Sequence, residues 1–182
     1  MYEVELKVRA DHDRVSERLD AIGASATGTV TQEDHYYDAP HRTFAETDEA
    51  LRLRHERDDG SETTRITYKG PLVEQGSKSR EEFETAVEDA GTMDSILRKL
   101  GFEPAAIVEK RRSRYEYDGY TITLDTVAGL GEFVEIEIEI EAKTVAPARD
   151  GAIEILEALG VDPDEQIRTS YLELLLEGDA QQ

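Results

Sequence analysis

The sequence predicts an α+β fold: about eight antiparallel strands able to close into a barrel, with helices around the outside. Three observations predict it. Runs of strict period-two alternation recur along the chain, each with one charged face. Between them lie a few stretches at helical spacing that end on an apolar residue plus glycine. No linker or low-complexity segment interrupts the 182 residues, so residues 1–182 read as a single domain.

The elements follow in order. "EVELKVRA" places Glu3, Glu5, Lys7 and Arg9 on one face and Val4, Leu6 and Val8 on the other, as a half-buried strand requires. "DHDRVSERLDAIGA" spaces Val15, Leu19 and Ile22 for a helix, with Asp13 as the cap candidate and Gly23 as the stop. A strand around "HYYDAP" precedes "ALRLRHE", where Arg52 and Arg54 oppose Leu51 and Leu53. "TTRITYKG" runs into Lys69, Gly70 and Pro71, a turn signal. "SREEFETAVE" groups Arg80, Glu82 and Glu84, and "TMDSILRKLGF" is helical through Met93, Ile96, Leu97 and Leu100 up to Gly101. "VEKRRSRYEY" lines up Lys110, Arg112 and Arg114; "GYTITLDTV" lines up Thr121, Thr123 and Asp125. "GLGEF" reads as a turn into "FVEIEIEIEA", which sets Glu135, Glu137, Glu139 and Glu141 against Val134, Ile136, Ile138 and Ile140. Two helices close the chain: "DGAIEILEALGV", with Ile153, Leu156, Leu159 and Gly160, and "SYLELLLEG" after Arg168. Three strands with Glu-x-Glu spacing, at Glu3/Glu5, Glu82/Glu84 and Glu137/Glu139, each precede a helix, a weak internal echo.

Composition narrows the partners. Acidic side chains number 42 against 21 basic ones, a formal net charge of −21. Such a chain repels nucleic acid and anionic membranes unless its bases cluster. The acids are spread rather than gathered in a tail, and lysine is scarce beside arginine. Both adaptation to a high-salt cytosol and an ordinary acidic protein fit that pattern. Cysteine is absent, which excludes disulfides and thiolate metal sites. His12, His35, His41 and His55 are scattered without ligand spacing. No apolar run reaches transmembrane length and no signal-peptide pattern precedes the first strand, so a cytoplasmic protein is expected.

The charged faces carry the chemistry. One charged strand face is ordinarily a solvated surface. Here nine of the 21 bases, Lys7, Arg9, Arg52, Arg54, Arg65, Lys69, Lys110, Arg112 and Arg114, sit in expected strands, and acids share their faces. Closing eight strands would turn those faces inward, and unpaired buried charge is costly. Such a lumen wants a polyanion for its bases and a hard cation, Mg²⁺ or Mn²⁺, for its carboxylates. Glu3 and Glu5, with Glu135 and Glu137 from a distant strand, would form the acidic pole.

These residues also resemble a family. "EVELKVRA" is similar to the Glu-x-Glu-x-Lys signature of the CYTH superfamily, the triphosphate tunnel metalloenzymes, which include class IV adenylyl cyclases, thiamine triphosphatases and inorganic triphosphatases. It is followed in order by "QEDHYYDAP", "ALRLRHE", "TYKGP", "SREEFE", "VEKRRSRY", "LDTVAGLGEFVEIEIE" and "RTSYLELL", covering nearly the whole chain. The resemblance implies a tunnel of eight antiparallel strands. It implies metal ligation by Glu3, Glu5, Glu135 and Glu137. Phosphate binding would fall to Lys7, Arg52, Arg54, Lys69, Lys110 and Arg112, with Arg9 on the same strand face. Asp125 would lie near the reacting end in a supporting or acid-base role, with Lys110 and Arg112 beside it in catalysis. The "LDTVAGLGEFVEIE" and "RTSYLELL" stretches and Tyr36, Tyr37 and Asp38 resemble the cyclase branch most. The expected function is therefore a Mg²⁺- or Mn²⁺-dependent adenylyl cyclase. A triphosphatase acting on thiamine triphosphate, inorganic triphosphate or a nucleoside triphosphate is the alternative, and a non-catalytic polyphosphate-binding module is a third. Whether the chain forms a homodimer stays open.

Overall fold

A computed structural model describes residues 2–72, 78–141 and 145–179. The eight expected strands are present: β1 (Tyr2–Arg9), β2 (Ser25–Asp38), β3 (Ala50–Arg57), β4 (Glu62–Leu72), β5 (Lys78–Val87), β6 (Glu103–Tyr117), β7 (Tyr120–Val127) and β8 (Gly131–Ile140). They close into a barrel in the order β1-β5-β4-β3-β2-β6-β7-β8, antiparallel at every seam. Among the described residues five helices surround it: α1 (His12–Ile22), α2 (Phe44–Thr47), α3 (Ala90–Lys99), α4 (Val145–Ala158) and α5 (Tyr171–Asp179).

Because the charged faces point inward, the apolar faces point outward and need helices to cover them. The apolar core therefore lies between barrel and helices. Val15 and Leu19 of α1 and Ile155 and Leu156 of α4 pack on Leu6, Val8, Ile122, Leu124, Val134 and Ile136 of β1, β7 and β8. Phe44 of α2 and Leu97 of α3 cover Tyr37, Leu51 and Leu53 of β2 and β3. Tyr171 of α5 joins Val108, Val127 and Phe133 at one end of the barrel. Each such side chain is worth about 1.5–3 kcal/mol on burial. Gly151 of α4 is required by a close approach: a Cβ there would lie 2.2 Å from the Tyr120 hydroxyl, which donates to the Ala148 carbonyl at 2.9 Å.

Local details depart from the sequence reading in four places. The cap of α1 is Asp11, whose carboxylate accepts from the Arg14 N–H at 3.0 Å; Asp13 lies within the first turn. Gly23 ends the helix in the left-handed region, as expected. Gly70 and Pro71 do not turn the chain. They form an irregularity between Lys69 and Leu72 inside β4, where the missing proline N–H costs no ladder bond. Of the helical positions in α3, Leu97 is buried while Ile96 and Leu100 remain exposed. The short α2 and a 3-10 turn at Pro163–Glu165 carry too few residues to show a period. No helix among the described residues is long and apolar enough to cross a membrane.

Candidate active site

Closure sorts the lumenal charges by strand. The three Glu-x-Glu strands, far apart in sequence, become neighbours in the order β5-β1-β8. Register sets Glu5 beside Glu137 and Glu3 beside Glu139 across β1 and β8, and Lys69 beside Glu82 across β4 and β5. Beside them on β4, and farther round on β3 and β6, stand the bases, with Lys7 and Arg80 on β1 and β5 themselves. Acids and bases together line one cavity of about 280 Å³.

Most expected site residues reach that cavity. Glu3, Glu5, Glu135 and Glu137 line it, as do Lys7, Arg52, Arg54, Lys69, Lys110 and Arg112. Two do not. Arg9 occupies the last position of β1, at the rim. Its guanidinium is exposed, donates to the Leu130 carbonyl at 2.7 Å and stacks on the Phe133 ring. Asp125 is fully buried behind Arg112, which it binds through both carboxylate oxygens at 2.7 and 2.5 Å. Five further residues belong to the site. Asp34 pins Arg54 with two bonds at 2.6 and 2.7 Å and lies 3.6 Å from Arg52. Arg80, Glu82, Arg114 and Tyr171 line the cavity. Alternation along Gln32, Asp34 and Tyr36, along Arg80, Glu82 and Glu84, and along Lys110, Arg112 and Arg114 was the available signal for four of them. Nothing in linear spacing signals that Tyr171 returns to the lumen.

Ion pairs bridge the two sides. Lys69 binds Glu3 and lies 2.9 Å from Glu82. Arg112 binds Glu135 and lies 4.0 Å from Glu137. Burial alone would raise the Glu3 carboxyl, but Lys69 holds it at about 2. Glu137 is pushed up to about 7 by burial and by the charges of Glu3, Glu135 and Glu5, against the pull of Arg112. Glu82 also rises to about 7, through burial and the nearby Glu3, against Lys69. Burial likewise opposes charge on Asp34, yet Arg54 and Arg52 hold it well below the usual carboxylate range. Lys110 falls to about 7, first from burial and then from repulsion by Arg112, against the pull of Asp125.

The acidic side has the donor chemistry of a hard-cation site. Burial, and after it the crowding of the carboxylates, makes Glu137 resist ionisation, and a divalent cation would relieve the crowding. In the present rotamers no three His, Asp or Glu side chains among the described residues converge with ligand spacing. Glu3 and Glu135 turn instead toward Lys69 and Arg112. Glutamate side chains on adjacent strands reach a shared ion by rotating away from those bases, so the residues fit the group.

Comparison with known proteins places this geometry. A Methanocaldococcus jannaschii protein named "Putative adenylate cyclase" is 41% identical over 176 residues, 96% of this chain and 98% of that protein. A solved structure of a Pyrococcus horikoshii protein superposes with a TM-score of 0.91 at 41% identity, covering 97% of this chain and 99% of the other. A Hippeastrum protein shares the fold at 18% identity, with a TM-score of 0.67 over 97% of this chain and 95% of its own. Its structure is described as that of a putative adenylyl cyclase with a dominant triphosphatase activity. Residues 1–171 match the model of the CYTH domain, and the chain belongs to the CYTH family.

Proposed function

We propose that the protein is a divalent-metal-dependent enzyme that converts ATP to cyclic AMP and pyrophosphate. The observation that carries this reading is the polarised lumen. Carboxylates of β5, β1 and β8 face bases of β3, β4 and β6 within one cavity of about 280 Å³. A metal-bound triphosphate suits both sides at once. Its phosphates would take the place of carboxylates beside Lys69 and Arg112, and its cation would be held by Glu3 and Glu135 in place of those bases.

Glu3, Glu5, Glu135 and Glu137 would hold Mg²⁺ or Mn²⁺, which when bound neutralises phosphate charge and orients the chain. Lys7, Arg52, Arg54, Lys69 and Arg112 bind phosphate oxygens, in a buried setting where fixed donors act strongly. Asp34 and Asp125 orient Arg54 and Arg112 from behind and do not face the cavity. In the reaction the ribose 3′-oxygen bonds to the α-phosphorus, the bond from that phosphorus to the α–β bridging oxygen breaks, and pyrophosphate leaves. The hydroxyl proton passes to a base. Lys110 lines the cavity and, lowered by burial to about 7, passes between ammonium and amine near neutral pH; the ammonium can contact phosphate and the amine suits that task. Names carried by relatives support the cyclase reading.

The second reading is a triphosphatase, in which the same cage directs water at the terminal phosphorus. The activity described for the Hippeastrum protein supports it. Incubation with ATP and Mg²⁺ or Mn²⁺, followed by product identification, separates the readings. Cyclic AMP with pyrophosphate is expected. Orthophosphate and ADP without cyclic AMP would assign the triphosphatase. Tight triphosphate binding without turnover under either metal would assign a binding module.

A further inference from the structure

The chain beyond the barrel returns to the lumen at α5, where Tyr171 meets two lysines. Upstream of α5 the Ile167 N–H donates to the Lys7 carbonyl at 2.7 Å, tying this segment to β1. Ser170 and Glu173 then cap α5 reciprocally: the Ser170 N–H donates to the Glu173 carboxylate at 2.7 Å and the Glu173 N–H to the Ser170 hydroxyl at 3.1 Å. These contacts fix Tyr171, only 6% exposed, at the barrel end. Its ring centroid lies 4.3 Å from Lys7 Nζ and 5.1 Å from Lys110 Nζ, and Phe133 packs against it edgewise at 4.9 Å. Its hydroxyl donates to Asp125 Oδ2 at 3.0 Å.

Lys7 and Lys110 come from β1 and β6, which β7 and β8 separate in the barrel. Two ammonium groups meeting at one ring repel each other. An aromatic face attracts a cation within about 6 Å of its centroid. It does so without a formal negative charge, whereas a carboxylate in the same place would compete with phosphate for both lysines. A leucine would fill the same apolar gap beside Val108, Val127 and Phe133 but would hold neither cation. We infer that Tyr171 is a positioning residue of the tunnel: its ring seats the Lys7 and Lys110 ammonium groups toward a triphosphate, and its hydroxyl fixes the Asp125 carboxylate that holds Arg112. This role rests on the triphosphate reading above.

Tyr171→Phe and Tyr171→Leu separate ring from hydroxyl. Lysine ε-methylene resonances test the seating without any substrate, and the chain has only six lysines to assign. Ring current should move those of Lys7 and Lys110 upfield in the wild type and in Tyr171→Phe, and not in Tyr171→Leu. Calorimetry with inorganic tripolyphosphate should show binding weakened roughly tenfold in Tyr171→Leu and within about twofold of wild type in Tyr171→Phe. With ATP, Tyr171→Phe should lower kcat about tenfold at unchanged KM, through the lost Asp125 bond. Unshifted Lys7 and Lys110 signals in the wild type would overturn the inference even if Tyr171→Leu fails to fold. Wild-type affinity in Tyr171→Leu, or wild-type kcat in Tyr171→Phe, would also overturn it. A wild-type protein that binds no tripolyphosphate would remove the triphosphate reading, and the lysine signals would then decide the seating alone.

Discussion

Replacing Arg112 with methionine keeps much of the side-chain length and removes the guanidinium. That group is 5% exposed, pairs with both oxygens of the fully buried Asp125 at 2.7 and 2.5 Å, and also binds Glu135. Among the described residues Asp125 keeps the Tyr171 hydroxyl at 3.0 Å and the more distant Lys110 Nζ at 3.7 Å as its polar side-chain partners. Breaking a buried pair by removing one partner costs about 3–5 kcal/mol. For a chain of this size each kcal/mol moves Tm by roughly 2–4 °C, so Arg112→Met should melt roughly 6–20 °C lower. The loss depends on pH. Burial opposes charge on Asp125, but Arg112 and Lys110 hold its carboxyl well below the usual range. A carboxyl depressed in the folded state contributes stability above its unfolded value of about 4, and that contribution is lost as pH falls through the folded value. The gap between wild type and variant should therefore be widest near neutrality and narrow below about pH 4. Urea unfolding across that range measures it. Arg112→Met/Asp125→Asn, which removes the orphaned charge, should recover much of the loss. A gap of about 1 kcal/mol or less at neutral pH, the size of an exposed pair, would refute the reasoning. So would a gap that does not change with pH.

Other perturbations test other parts of the lumen. Glu5→Gln keeps shape and removes a ligand charge; metal affinity should fall at least by the roughly 10–100-fold that loss of an outer-shell partner costs, with the melting curve retained. Wild-type turnover at limiting metal would remove Glu5 from the metal pole. Lys69→Ala should weaken triphosphate binding by about 2–5 kcal/mol, as truncation of a desolvated charge contact does; a change near 1 kcal/mol or less, the size of an exposed pair, would remove Lys69 from the phosphate contacts. If Lys110 accepts the proton, kcat/KM should rise as pH passes about 7, where Lys110 becomes neutral, and Lys110→Arg, charged throughout, should abolish that rise. With a net charge of −21, Tm should climb steeply from low to molar KCl, because the Debye length contracts to about 3 Å at 1 M; a flat profile would discount adaptation to salt.

Most strands were legible because each pairs a polar face with an apolar one. Val4, Leu6 and Val8 against Glu3, Glu5 and Lys7 leave no other period. Which strands would be neighbours was not legible. Glu82 and Glu137 join Glu3 only through the closure order, and no local signal encodes that order. Arg9 misled because alternation continues to the last residue of β1, while the lumen ends one pleat earlier. Asp34 was obscure because its outward neighbours Glu33 and His35 are also polar, so the face showed no contrast. Ile96 and Leu100 fit the helical period of α3, but that helix meets the barrel along a stripe narrower than its apolar arc. Tyr171 was invisible because a helix of nine residues after the last strand carries no mark of where it docks.

The central claim is that a triphosphate lies between a carboxylate wall and a basic wall inside the barrel. Crystals grown with Mn²⁺ and inorganic tripolyphosphate test it most directly, through the anomalous signal of manganese. The account predicts Mn²⁺ within ligand distance of Glu3, Glu5 and Glu135, with the phosphates against Arg52, Arg54, Lys69 and Arg112. Manganese on the outer surface, or a triphosphate bound outside the lumen while the ion pairs of Lys69 with Glu3 and of Arg112 with Glu135 stay intact, would contradict it.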